Sequence, residues 1–263
     1  MPGLNIKTEK EIEIMKESGQ ILNRVMETLL HTLGIGVSML ELNALAEKEI
    51  EKYGAKPSFK MVPGYKWAIC TCVNNIVVHG IPDNYIAKGN DVIGIDLGVY
   101  YRGFHTDSSW TVRIKDDKSE KNNAVDKFLT IGRLALDKAI EQVLPGNYIS
   151  DISEAIQTTV EDAGFSVVRS LIGHGIGKHL HEDPEIPGFV SNSREKTLII
   201  TPGLTMAIEV IYNLGSPEVI YKGDGWTIST KDGKISGLFE TTVALSDRGV
   251  ILLTKKYGPS GDN

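Results

Sequence analysis

The sequence resembles itself when its first half is shifted by about 110 residues. Glycines and apolar residues then recur at matching positions, and each copy has the pattern of two helices followed by β-rich sequence. The matching positions are Gly36, Leu42, Ala46, Ile50, Glu51 and Gly54 in the first copy and Gly146, Ile152, Ile156, Val160, Glu161 and Gly164 in the second. The repeat predicts one α+β domain over residues 1–263 with a pseudo-two-fold axis, and repeats at about 1–120 and 121–263.

The helices of each half are marked by their start and stop signals. Capping boxes at Thr8–Glu11 and Ser38–Glu41 precede apolar residues with helical spacing. The first helix is expected to run to about Leu33, and the second to end at Gly54. A further helical stretch at 122–143 precedes the second copy of the repeat.

The remaining sequence is typical of β-strands. Alternating β-branched residues separated by Asn, Asp and Gly predict strands near 66–72, 76–79, 92–100, 104–114, 167–172, 206–213, 236–245 and 250–254. Because most of these strands follow one another directly along the chain, we expect a largely antiparallel sheet.

Composition excludes several classes of protein. The net charge of −6 is spread along the chain without a basic run, which argues against a nucleic-acid surface. No apolar run approaches the roughly 20 residues that span a bilayer, and residues 1–19 do not resemble a signal peptide, so we expect a cytoplasmic protein without membrane contact. Cys70 and Cys72 are too close for a comfortable disulfide and have no partners for a zinc site, which predicts buried thiols.

Two aspartates fall within one predicted hairpin. If the hairpin between strands 92–100 and 104–114 turns at Tyr101–Arg102, Asp96 lies directly opposite Asp107. Like charges at such positions repel, so the pair would need a proton or a cation between them. The alternative is that the turn lies elsewhere and one aspartate only caps it.

Two glutamates also stand in apolar, strand-like sequence, Glu209 in "MAIEVIY" and Glu240 in "GLFETTVAL". A buried carboxylate must be paired, hydrogen-bonded or coordinated, so either glutamate alone could belong to an ion pair. Four misplaced acids together with the histidines of "LIGHGIGKHLH" favour one shared site. Such an oxygen-rich set suits a pair of divalent Mn, Fe, Co or Zn ions in a hydrolytic enzyme, and no HExxH helix is present.

This ordered set of acids and one histidine resembles the metal ligands of the methionine aminopeptidase family. The corresponding residues are Asp96, Asp107, His174, Glu209 and Glu240, and the segments "NNIVVHGIP", "IDLGVYYRGFHTD", "PGLTMAIEV" and "DGWTISTKDGKISGLFETTV" extend the resemblance over most of the chain. It implies the pita-bread fold, a curved and largely antiparallel sheet covered by helices. The short interval between Glu209 and Glu240 is similar to type I enzymes of the bacterial form.

The resemblance also implies a role for each ligand. Asp96 would bind one ion, Asp107 and Glu240 would bridge the two ions, and His174 and Glu209 would complete the second ion's shell. We expect His174 to be presented on a glycine-lined turn.

Three residues would take catalytic roles in the family's reaction, removal of an N-terminal methionine that precedes a small residue. Glu209 would be the general base, His181 would help to hold the oxyanion, and His79 would bond the scissile amide nitrogen. His179 matches no family role and is expected to be a partly exposed turn residue.

The substrate pocket implied by the resemblance contains Tyr65, Cys70 and Trp226. Leu180 stands where many relatives have Phe, which predicts an altered pocket wall, and Val210 stands where relatives usually have Pro. The expected partners are the N-termini of nascent polypeptides, which a ribosome-associated enzyme would meet, and the family is usually monomeric.

Two other functions fit the same fold. An Xaa-Pro aminopeptidase or prolidase uses a similar ligand set but usually carries a separate N-terminal domain, for which the residues before Asp96 leave no room. A non-catalytic pita-bread protein that binds RNA or protein characteristically loses metal ligands, whereas this chain keeps all of them.

Overall fold

The computed structural model describes residues 4–115 and 123–258. Helices occupy the positions that the sequence predicts in both halves. Within the described residues they are α1 (Glu9–Thr32), α2 (Met39–Lys52), α3 (Asn123–Glu141) and α4 (Ile149–Asp162), with short 3₁₀ turns at Phe59–Met61 and Arg194–Lys196. None of the described helices has the length and apolar character needed to cross a membrane.

The predicted capping boxes are present. At the start of α1, the Glu11 amide donates to the Thr8 hydroxyl oxygen (3.3 Å), and the Thr8 amide donates to the Glu11 carboxylate (2.9 Å). Ser38 and Glu41 repeat this arrangement at α2. The two reciprocal bonds satisfy amide groups that a helix N-terminus otherwise leaves without acceptors.

The repeated glycines adopt the same backbone conformation in both halves. Gly36 and Gly146 precede α2 and α4 with φ of 93° and 86°, and Gly54 and Gly164 follow these helices with φ of 69° and 89°. A side chain would be strained at such angles, which explains why glycine recurs there. The predicted boundary between the repeats, near residue 120, lies outside the described residues.

The strands form one large sheet and one small sheet, and the pairings are antiparallel. The strands are β1 (Lys56–Pro57), β2 (Ile69–Val73), β3 (Ile76–Val78), β4 (Val92–Tyr101), β5 (Phe104–Arg113), β6 (Ser166–Val167), β7 (Ile172–Gly175), β8 (Glu182–Pro187), β9 (Thr205–Asn213), β10 (Val219–Tyr221), β11 (Ile228–Thr230), β12 (Ser236–Ser246) and β13 (Gly249–Leu252). The large sheet has the order β1-β4-β5-β12-β9-β7-β8, with β2 on β4, β6 on β9 and β13 on β12. The small sheet has the order β10-β11-β3.

The predicted strand at 167–172 is wrong. The chain pairs only briefly in β6 and then again in β7, which begins where the predicted strand ends. The short strands β8, β10 and β11 were not predicted. The sequence of β8, "EDPEIP", does not predict a strand because prolines and acids are rare in strands. An edge strand tolerates them, and β8 lies at the edge of the large sheet.

The predicted turn of the β4–β5 hairpin is one residue too early. The loop is formed by Arg102 and Gly103, both with positive φ (47° and 94°), as a type I′ hairpin turn requires. Asp96 therefore pairs with Ser109, and Asp107 pairs with Gly98. The two aspartates are diagonal neighbours on one face of the sheet, not directly opposite each other.

The two faces of the large sheet differ in character. The helices cover one face, with α1 on β4 and β5 and α3 on β9 and β12. Alternate residues such as Ile95, Val210 and Phe239 point into this apolar core. The neighbouring residues Asp96, Glu209 and Glu240 therefore project from the other face.

Gly19 allows α1 to lie close to the C-terminal segment. A Cβ at this position would come 2.0 Å from the backbone oxygen of Leu253, which cannot move aside as a side chain could. Helix propensity alone predicts that Gly19→Ala stabilises the protein by about 1 kcal/mol. We expect instead a loss of about 1–3 kcal/mol in the free energy of unfolding, because the added methyl overpacks the contact.

Urea unfolding checks this expectation, with Gly223→Ala as the control. A Cβ at Gly223 would meet no atom within 4 Å, so this variant should stay within about 0.5 kcal/mol of the wild type. A Gly19→Ala protein more stable than the wild type would show that the close contact does not limit the helix position.

Candidate metal centre

The register of the large sheet brings the five predicted ligands together. Asp96 on β4 pairs with Ser109 on β5, which pairs with Glu240 on β12. Glu240 in turn lies directly opposite Glu209 on β9, so three carboxylates share one row across four neighbouring strands. Asp107 lies two residues from Ser109 on the same face of the sheet.

His174 joins this face from β7. Its partner on β9 is Ala207, two residues from Glu209, and His174 Nε2 lies 3.5 Å from Glu209 Oε1. One ligand atom each from Asp107, His174 and Glu240 lies within 4.8 Å of the others. The predicted ligands are thus brought to one site by five different strands.

The carboxylates of this site are buried, and no described lysine or arginine forms an ion pair with them. Asp96, Asp107 and Glu240 are less than one-tenth exposed, and the Glu209 side chain is 14% exposed. Among the described residues, the ion pairs of Lys and Arg involve other acids. The alternative of ordinary ion pairs for Glu209 and Glu240 therefore finds no support there.

Burial raises the pKa of each of these acids, and repulsion between carboxylates adds to the shift at Asp96, Glu209 and Glu240. Loss of solvent raises the pKa of Asp107 to about 7. A hydrogen bond from the Ser108 amide to Asp107 Oδ1 (3.0 Å) acts in the opposite direction. The pKa values of Asp96, Glu209 and Glu240 are raised well above the usual range by burial and by the neighbouring carboxylates. The site therefore favours either bound protons or bound cations.

Two carboxylate oxygens of the site find no hydrogen-bond partner among the described residues. Asp96 Oδ1 and Glu240 Oε1 form no hydrogen bond, although each has almost no contact with solvent. Buried polar atoms are normally satisfied, so free carboxylate oxygens in a cluster of acids are a strong sign of cation ligands. These residues fit a site for divalent metal ions.

The imidazole of His174 is held in the form that binds metals. Its Nδ1 lies 2.8 Å from the Gly175 carbonyl oxygen, so Nδ1 carries the proton and leaves the Nε2 lone pair directed at the acids. Burial lowers the pKa of His174 to about 3, which keeps the ring neutral.

The expectation that His174 is presented on a turn is wrong, because it lies within β7. The flanking glycines serve close packing of strands: a Cβ on Gly173 would come 2.6 Å from the Ala207 oxygen, and one on Gly175 would come 2.2 Å from the Asp183 oxygen. The glycines therefore let β7 fit between β8 and β9.

The other predicted catalytic residues lie on the wall of the same cavity. His181, in the bend before β8, contacts His174 edge to face, with ring centroids 4.3 Å apart. His79 follows β3 with a positive φ of 55°, an uncommon conformation that turns the chain at the cavity rim. His179 is exposed and lies outside this cavity, on the wall of the adjoining groove.

An apolar pocket opens beside the acids. Tyr65 is buried against the edges of Trp67 and Trp226, with ring centroids 5.3 and 5.1 Å away, and its hydroxyl lies 3.1 Å from Cys70 Sγ. Cys70 pairs with Asp96 across β2 and β4, which joins the pocket to the metal site. The predicted pocket residues are therefore together.

Other wall residues were missed by the sequence reasoning. Phe59 and Val62 line the cavity beside Leu180. Phe59 lies in a 3₁₀ turn and Val62 directly follows it, where no periodic pattern marks an inward-facing residue. Val210 points into the helix-covered core, so its difference from relatives does not change the cavity wall.

Comparison with known proteins identifies the family. Residues 13–247 match the metallopeptidase family M24. The chain belongs to this family. Membership confirms the prediction of a metal-dependent peptidase, and the arrangement of helices and strands confirms the α+β pita-bread fold.

Several relatives cover nearly the whole chain. The chain is 41% identical over 249 residues to a methionine aminopeptidase of Clostridium perfringens, a match that spans 95% of this chain and 98% of the relative. Methionine aminopeptidase 1 of Bacillus subtilis matches at the same identity and coverage. The chain therefore corresponds to these relatives almost from end to end.

Solved structures show the same similarity. The methionine aminopeptidase of Thermotoga maritima superposes with a TM-score of 0.91 at 34% identity, over 97% of this chain and 100% of that one. A prolidase from Pyrococcus horikoshii superposes with a TM-score of 0.75 at 21% identity, over 96% of this chain but 64% of that one. The prolidase thus shares the fold, over about two thirds of its own length.

The raised pKa values predict how pH affects the metal-free protein. Between pH 3.8, the ordinary pKa of Asp107, and about 7, its pKa in the fold, the folded state holds a proton that the unfolded chain has released. Stability should therefore fall as pH rises through this window. We expect the melting temperature of chelator-treated protein to drop by on the order of 5 °C between about pH 5.5 and 8.

Two controls isolate the contribution of the site. Asp107→Asn should flatten part of this pH dependence, and Mn²⁺ added at pH 8 should raise the melting temperature of the wild type. If the melting temperature of the metal-free protein instead rises over the same pH range, the folded acids do not hold extra protons and the prediction is wrong.

Proposed function

We propose that the protein is a type I methionine aminopeptidase, which removes the first methionine from polypeptides whose second residue is small. The main support is a cluster of buried carboxylates, with free oxygens, that opens directly into an apolar pocket. The similarity to methionine aminopeptidases over nearly the whole chain supports the same activity.

The five ligands would hold two divalent metal ions. The ligand atoms would come from the carboxylates of Asp96, Asp107, Glu209 and Glu240 and from Nε2 of His174. The set of oxygen ligands and one imidazole suits Mn, Fe, Co or Zn. When bound, such ions would lower the pKa of a water and stabilise negative charge on the substrate's carbonyl oxygen.

Glu209 is the best placed of these acids to move protons. It is the most exposed of the four, and its carboxylate lies on the cavity wall within reach of a substrate. Glu209 would accept the proton of the attacking water and deliver it to the departing amine.

Two histidines would bind the reacting peptide group. Loss of solvent around its ring lowers the pKa of His181, so the ring is neutral near pH 7 and an N–H can donate to the carbonyl oxygen. His79, also on the cavity wall, would donate a hydrogen bond to the nitrogen of the scissile amide.

The apolar pocket would select the first residue. The side chain of methionine is unbranched and its sulfur packs well against aromatic edges, which Tyr65 and Trp226 supply. Leu180 adds an aliphatic wall to the pocket. The partners are the N-termini of nascent polypeptides, and a monomer suffices because each proposed residue comes from one chain.

Release of free methionine tests this function. Metal-free protein reconstituted with Mn, Fe, Co or Zn should release methionine from Met-Gly-Met-Met and leave a Met-Leu peptide and an Ala-Pro peptide intact. The expected preference over Met-Leu is at least about 100-fold in kcat/KM, because the proposed activity requires a small second residue.

The other outcomes identify the alternatives. Cleavage of the Ala-Pro peptide alone would assign the chain to the proline-specific peptidases that share its fold. No cleavage by a protein that binds metal would favour a non-catalytic binding role. Cleavage without added metal in the presence of a chelator would contradict the proposed chemistry.

A further inference from the structure

A buried ion pair connects the N-terminal segment to the loop that carries His181. The ammonium group of Lys7 contacts the carboxylate of Glu182, and these side chains are only 2% and 4% exposed. Burial of two charges costs free energy that their attraction barely repays, so such a pair is weak evidence for a role in stability. Its neighbours point to a role in fixing one conformation.

Glu182 acts as the centre of a small network. Its Oε1 accepts hydrogen bonds from Asn5 Nδ2 and from the His179 amide, both at 3.0 Å. Lys7 Nζ donates in addition to the Asn5 carbonyl oxygen at 2.9 Å. The carboxylate that follows His181 is thereby bonded to the backbone two residues before His181 and to the N-terminal segment.

Two glycines provide the space for this arrangement. The Lys7 Cε atom lies where a side chain at position 177 would be, 2.3 Å from an ideal Cβ on Gly177. On the other side of the segment, the Lys7 amide donates a hydrogen bond to the Gly203 carbonyl oxygen at 2.8 Å. A Cβ on Gly203 would come 2.4 Å from the Ile6 side chain. The N-terminal segment is therefore packed closely against the loop.

His181 lies just outside the paired residues of the sheet, since β8 begins at Glu182, which pairs with Gly175. His174 is fixed by the pairing of β7 with β8 and β9, whereas His181 lies in the bend before β8. The edge-to-face contact between the two rings therefore depends on where the segment 177–182 is held.

We propose that Lys7 is a positioning residue, which fixes His181 over the metal site through its buried ion pair with Glu182. This inference rests on the catalytic role proposed for His181. Lys7 does not touch the substrate; it sets the place from which His181 reaches the carbonyl oxygen. A small displacement of a reacting group can cost about 100-fold in rate, which gives the scale of the expected effect.

Lys7→Met tests the proposal, with Lys178→Met as the matched control. Lys178 lies on the same loop and also forms an ion pair, with Glu11 at 3.0 Å, but its side chain is 56% exposed. We expect Lys7→Met to lower kcat by about 10- to 100-fold with KM within about threefold of the wild type, and Lys178→Met to leave both unchanged. Asn5→Ala, which removes one bond to Glu182, should cause a smaller loss in the same direction and serves if Lys7→Met does not fold.

Two further measurements separate positioning from stability. In a His181→Ala background, Lys7→Met should lower kcat by less than about twofold, because the residue that Lys7 positions is gone. In the metal-loaded protein, hydrogen exchange at the His179 amide should become at least about tenfold faster in Lys7→Met and stay unchanged in Lys178→Met.

The outcomes distinguish this proposal from the proposed function. Two results would overturn the positioning role. The first is a hydrogen-exchange rate at the His179 amide that is the same in Lys7→Met as in the wild type. The second is a loss of kcat on Lys7→Met that is equally large in the wild-type and His181→Ala backgrounds. If the wild type releases no methionine while the exchange at His179 still responds to Lys7→Met, the proposed function fails and Lys7 retains only the structural part of its role.

Discussion

The structure depends on holding four carboxylates together in a buried site. Glu209 lies directly opposite Glu240, Asp96 lies in the same row, and Asp107 is a diagonal neighbour. Each unpaired buried charge would cost several kcal/mol, so the sheet can keep this arrangement only with protons or cations bound. The antiparallel ladder is suited to this task because neighbouring strands fix each carboxylate relative to the others, and the opposite face of the sheet is packed against the helix-covered core.

The chemistry of the site divides between the sheet and its loops. The proposed metal ligands, His174 included, lie on the large sheet, whereas His79, His181 and most of the pocket residues lie outside it. This division explains the network around Glu182: a residue that the ladder does not hold needs another support, and a buried ion pair to the N-terminal segment provides one. The reaction would therefore need the rigid row of acids and the loop at the same time.

Sequence alone predicts best the residues that are unusual for their surroundings. Acids in apolar, strand-like segments predict the candidate site, and the structure places these acids together on one face of the sheet. Glycines at corresponding positions predict two related halves, and these glycines share a positive φ in the structure. The register was wrong by one step because the hairpin turn is set by which two residues accept positive φ, and Arg102 gave no sign of this. His174 was placed on a turn because glycines suggest turns, although here they permit close strand packing. Phe59 and the Lys7–Glu182 pair escaped notice because contacts between loops leave no periodic pattern, and the pair is 175 residues apart in sequence.

If the five clustered residues hold two metal ions, anomalous diffraction from crystals of the protein grown with Mn²⁺ will show them. We expect two anomalous peaks in each chain, both within ligand distance of the side chains of Asp96, Asp107, His174, Glu209 and Glu240. The absence of any peak at these residues, a single ion at saturating Mn²⁺, or manganese bound only elsewhere would refute a centre for two ions.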